Sequence, residues 1–82
     1  MPRYFFDIDD GTRLIEDDTG LDLPDSQSAR RMAIAVLPPI ARDVMPNGDR
    51  QCVSVLVRDA RDAPVFRARL ELVAEWLDRS AA

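Results

Sequence analysis

The chain has 82 residues, 15 of them acidic and 11 basic, for a formal charge of -4. That length holds one domain, residues 1–82. All 11 cations are arginine, and lysine and histidine are absent. Their absence excludes a Ser-His-Asp or Cys-His nucleophile pair, a histidine-ligated zinc, a Schiff base and a P-loop lysine.

Residues 3–9 alternate. Tyr4, Phe6 and Ile8 point one way, and Arg3, Phe5, Asp7 and Asp9 the other. Aromatic and β-branched residues at period two predict a half-buried strand. Asp10-Gly11 then signals a tight hairpin, and residues 13–16 return as a second strand. Residues 17–20 read as a turn. Residues 21–24 read as an extended connector, because the residue before a proline avoids helix.

Asp25 or Ser26 is a credible helix N-cap. Ala29, Met32, Ala33, Val36, Leu37, Ile40, Ala41 and Val44 follow at spacings of three and four, predicting an amphipathic helix over 26–44. Pro38 and Pro39 interrupt it, each removing a backbone donor at about 3 kcal/mol in a helix interior. A kink is expected there. Residues 45–49 end the helix.

Residues 50–58 alternate again, with Val53, Val55 and Val57 against Cys52, Ser54 and Leu56. After a turn over 59–63, alternation resumes at Pro64. The last segment also fits a helical stripe through Phe66, Leu70, Val73 and Leu77. The clean alternation of residues 64–70 favours a long strand to about 75. The expected fold is therefore α+β with order ββαββ: a four-stranded antiparallel sheet with the helix on one face. Tyr4, Phe6, Ile8, one side of residues 53–57 and the segment from Phe66 to Trp76 would meet Met32, Val36 and Ile40.

Size and charge bound the partners. Hydrophobic residues make up 46 % of the chain, too many for a disordered one. A chain this short buries roughly 60–65 % of its unfolded surface, so its core is small and pairing with a second copy is a natural remedy. Cys52 is the only cysteine, and no secretory leader or membrane-length apolar run is visible. A reducing cytoplasm is the expected location, with no membrane contact. Net negative charge opposes a phosphate backbone, so nucleic acid is not the expected partner. The all-arginine composition suits forked recognition of anions, but a GC-rich coding sequence also produces it.

The opening residues Met1 to Phe6, with Asp10-Gly11, resemble a family of short bacterial proteins classed as a domain of unknown function. So do Leu23-Pro24-Asp25, Ala29-Arg30, Ala41-Arg42-Asp43 and Val57-Arg58-Asp59. Members often carry histidine where this chain has Asp7 and Asp9. The resemblance implies a folded bacterial domain and no particular activity. The layout of strand, hairpin, strand, Leu-Pro-Asp and Ala-rich helix also resembles HicB-type antitoxins. That likeness would imply a regulator binding a toxin or RNA.

The carboxylates admit several readings. Phe6-Asp7-Ile8-Asp9-Asp10-Gly11-Thr12 resembles the start of haloacid-dehalogenase phosphatases. The extra Asp10 shifts the motif by one residue, which turns side chains to the opposite face. Asp7, Asp9 and Asp10, with Asp17, Asp18 and Asp22, could offer oxygen ligands to a divalent cation. The EF-hand spacing fails, because Gly11 falls where a ligand belongs, and aspartates also serve turns through local hydrogen bonds. Asp7 and Asp9 share a face and could divide acid and base roles, but no pocket or companion base is visible. Cys52 reads as an ordinary thiol. No cofactor and no catalytic constellation are expected. Arg67 and Arg69 share a face with Glu71 and Glu75 and read as solvated cross-strand pairs or as a partner contact. Trp76 and Leu77 either close the core or dock a second subunit. The expected role is a non-catalytic binding domain acting as a homodimer or with another protein.

Overall fold

The structure is a computed structural model, describing residues 1–78 and residue 80. Strand β1, Arg3–Asp9, sits inside the sheet. On one side it pairs antiparallel with β4, Arg50–Arg58, which pairs in turn with β5, Pro64–Val73. On its other side lie two short strands, β2 (Leu14–Ile15) against its end and β3 (Leu21–Asp22) against its start. The sheet thus has five strands in the order βββαββ, one more than expected. The extra strand is the connector at residues 21–24. Two residues are too few to show a period, but the Leu23 N–H bonding the Pro2 carbonyl at 2.9 Å extends the pairing.

The register explains the core. Val57 stands between Phe6 and Phe66, and Val55 between Ile8 and Ala68. Directly opposed residues share a face, so these rows all turn toward the helix. Val53, Val55 and Val57 are fully buried, each stabilising the fold by about 1.5–3 kcal/mol.

Helix α1, Ser26–Val44, covers that face. The Asp25 carboxylate caps it, accepting the Ser28 N–H at 2.9 Å. Its buried stripe is Ala29, Ala33, Leu37 and Ala41, where the small side chains let the helix come close to the valines. Met32, expected in the core, is 38 % exposed: alanines hold the innermost line and leave it at the rim. The helix continues through Pro38 and Pro39, both exposed. The carbonyls that lose a donor, four residues earlier, belong to Ile34 and Ala35, which are also exposed. Water can satisfy them, so the helix need not end.

After β5 the chain leaves the sheet at Val73 rather than residue 75. Residues 74–78 form neither strand nor helix, and residue 79 lies outside the described residues. Trp76 is 64 % exposed and Leu77 91 % exposed, so neither closes the core.

Candidate functional site

Among the described residues, no helix or second sheet covers the face of the sheet away from α1, and only loop 16–20 closes over part of it. Phe5, Asp7 and Asp9 of β1 lie on it, with Ser54 and Leu56 of β4 and Arg67, Arg69 and Glu71 of β5. The register aligns Asp7, Leu56 and Arg67 in one row and Asp9, Ser54 and Arg69 in the next. A shallow groove of about 300 Å³ runs between these carboxylates and arginines.

At one end of this face the charges are fully engaged. Asp7 is buried. Its oxygens accept a forked pair from Arg58, Nε to Oδ2 at 2.6 Å and one terminal nitrogen to Oδ1 at 2.9 Å. Oδ1 also accepts the Asp17 N–H at 2.9 Å. The same Arg58 nitrogen donates to the Asp17 carbonyl at 2.9 Å, and the other reaches Asp62 at 2.6 Å. Arg58 stands opposite Phe5, and its guanidinium lies 5.2 Å from that ring's centre. The Asp17 carboxylate accepts the N–H groups of Phe6, Thr19 and Gly20. Arg3 adds a forked pair to Asp22 and a 2.7 Å bond to the Thr19 carbonyl. Loop 16–20 is thereby tied to β1 and β4.

Electrostatics follow this geometry. The Arg58 hydrogen bonds hold the Asp7 carboxyl below its ordinary range against the opposing effect of burial, and Asp7 in turn raises Arg58. Burial pushes Asp17 upward, but the amides of Gly20, Thr19 and Phe6 outweigh it and leave the group lowered. Among the described residues, no buried side-chain polar atom lacks a hydrogen-bond partner.

Of the six aspartates considered as possible metal ligands, Asp7, Asp9 and Asp10 are employed separately. Asp7 serves Arg58. Asp9 accepts the Gly11 N–H at 2.9 Å. Asp10 accepts the Thr12 N–H, the Thr12 hydroxyl and the Arg13 N–H. These are turn bonds around Gly11, whose φ of 95° is the left-handed region the hairpin requires. Among the described residues, no group of three or more candidate ligands is gathered as a metal would need. Cys52 is a partly buried free thiol.

The interface candidates lie elsewhere. Arg67 stands opposite Leu56, Arg69 opposite Ser54 and Glu71 opposite Cys52. Among the described residues the cross-strand charge pairs expected here do not form, because the facing β4 residues are uncharged. Among the described residues, none of the three joins an ion pair. β5 is the outer strand on this side, and among the described residues its far edge meets no other strand. Val65, Leu70 and Val73 are exposed along it, and Trp76 and Leu77 follow its end. Sequence reasoning named Arg67, Arg69, Trp76 and Leu77, but it read Asp17 only as a possible cation ligand, met Arg58 only in the family resemblance, and missed their joint role. The alternation puts Arg58 on the open face, but only the register brings it to Asp7.

The model of a domain of unknown function, DUF6894, matches residues 3–71. The chain belongs to this family. The match spans β1 to most of β5, so the family domain includes the arginine-tied loop, the helix and the open face. No curated protein and no solved structure matches the chain.

Proposed function

We propose that this DUF6894 chain is a non-catalytic binding domain that acts by self-association, in a bacterial cytoplasm. The observation that carries this reading is the edge of β5. It offers ten residues of strand with no neighbouring strand beyond them among the described residues, bordered by exposed Leu70, Val73, Trp76 and Leu77. Unpaired edges of that length are normally shortened, bulged or covered. A small core adds a reason for association, since a second copy would extend the buried area.

The chemistry of the open face points the same way. Its buried carboxylate, Asp7, is already saturated by Arg58 and the Asp17 amide. The face mixes Asp9 and Glu71 with Arg67 and Arg69, unlike the continuous basic strip that a phosphate backbone needs. An antitoxin-like regulator or an aspartate-based metal enzyme gains no specific support from this geometry. Light scattering across a concentration series tests the reading. A mass approaching twice 9.2 kDa is expected, and 9.2 kDa at every concentration would overturn it.

A further inference from the structure

We propose that two copies pair through β5 in one antiparallel register, with the two-fold axis passing at Leu70, so that Arg69 of each copy faces Glu71 of the other. The proposal rests on the self-association reading and specifies its contact. Its first support is geometric. In an edge strand, alternate residues turn their N–H and C=O groups inward, here to β4, and the others turn theirs outward. Outward groups of one copy must meet outward groups of the other. Opposed residues of the two copies therefore share odd or even number, and the axis passes at a residue.

Charge then selects among the axes. An axis at Ala68 sets Arg67 against Arg69 twice. Axes at Arg67 and Arg69 each put an arginine against its own copy, and an axis at Glu71 does the same with glutamate. Like charges directly opposite destabilise a sheet. Axes nearer either end leave half or more of Pro64–Val73 unpaired. With the axis at Leu70, residues 67–73 of both copies pair. Arg69 meets Glu71 twice, Ala68 meets Leu72 twice, and Leu70 meets Leu70. Within the chain these charges face Ser54 and Cys52 and have no ion-pair partner among the described residues. The second copy supplies the missing partners.

Apolar surface agrees. Antiparallel pairing about such an axis keeps both helices on one side of a continuous sheet. A groove of about 380 Å³ lies on that side beside the edge, between Ile34 and Pro38 of α1 and Ala68 and Leu70 of β5. Leu70 and Ile34 are each 41 % exposed. Leu70 of the second copy faces this groove across the axis. The opposite border of the sheet cannot do the same, because β2 and β3 have two residues each.

Two linked experiments test the register. In a Cys52→Ser background, single cysteines are placed at Arg69, Leu70 and Glu71 and the protein is oxidised. Only Leu70→Cys should give a cross-linked dimer, because only there do the two Cα atoms approach within disulfide range. Cross-linking at Arg69→Cys or Glu71→Cys instead would overturn the register. In the otherwise unaltered chain, Arg69→Glu should weaken dimerisation by roughly tenfold or more, and adding Glu71→Arg should restore it. Circular dichroism checks that each variant folds. A dimer indifferent to all of these changes overturns the β5 contact but leaves self-association standing. A wild-type chain that stays monomeric overturns both.

Discussion

Along β1 the border of the sheet is covered by β2, β3 and a loop tied down by Arg3 and Arg58. Along β5 a strand of ten residues ends the sheet, with no further strand beyond it among the described residues. Both borders carry arginine, and the residue does opposite work in each. Arg58 spends its donors on Asp7, Asp62 and the Asp17 carbonyl, and its side chain is only 18 % exposed. Arg67 and Arg69 project from exposed positions opposite uncharged residues. The difference lies in what the register sets within reach. At β1 a carboxylate lies diagonally across the strand pair and a loop closes over it. At β5 the facing strand offers Leu56 and Ser54. Arginine on a sheet face is therefore uninformative until its cross-strand neighbours are known.

The contrast can be broken most severely at Arg58. Arg58→Ala leaves Asp7 buried without its partner and frees the loop, and should lower unfolding free energy by about 3 kcal/mol in denaturant titration. A loss below about 1 kcal/mol would mean the loop does not depend on this pair. Gly20→Ala comes next. Gly20 has a φ of 78°, and an added Cβ would stand 2.9 Å from side-chain carbons of Arg3 and of Phe5. The expected cost is about 1–3 kcal/mol, with no change in self-association.

Acid should act on the same border. Asp7 and Asp17 have folded pKa values below the ordinary 3.8. The folded chain keeps these carboxylates ionised where the unfolded chain has taken up protons. Their contribution is complete above the ordinary carboxylate range and is lost as pH falls through the lowered values. Thermal melts should be steady near neutrality and fall steeply below about pH 4, and Arg58→Ala should flatten that fall. The smallest effect belongs to the other border. Trp76→Ala should change monomer stability by no more than about 0.5 kcal/mol, since the ring lies outside the core.

Much of this was legible in the residues. Alternation fixes which side of β1 and β4 faces the helix, and residues 4, 6 and 8 and the valines at 53, 55 and 57 lie as it dictates. The helical span 26–44 follows from spacing, and residue type narrows the cap to Asp25 or Ser26, of which Asp25 serves. Other features depend on what period cannot encode. Strand β3 is two residues long. The helix continues through two prolines at exposed positions, where the carbonyls that lose a donor belong to the exposed residues Ile34 and Ala35. Met32 fits the stripe as well as Ala33, and only the closeness of sheet and helix decides which lies inside. The joining of Asp7 to Arg58 spans 51 positions in the chain and exists only through the pairing of β1 with β4. The aspartates of the first hairpin suggested ligands by composition, while their bonds to Gly11, Thr12 and Arg13 are the ordinary work of turn residues.

Amide hydrogen exchange at low and high protein concentration tests the difference between the two borders most directly. Outward-facing amides within residues 67–73 should exchange more slowly as concentration rises, while the amides of Phe6, Asp17, Thr19 and Gly20 should be protected equally at both. Exchange along β5 that is fast and independent of concentration would contradict this.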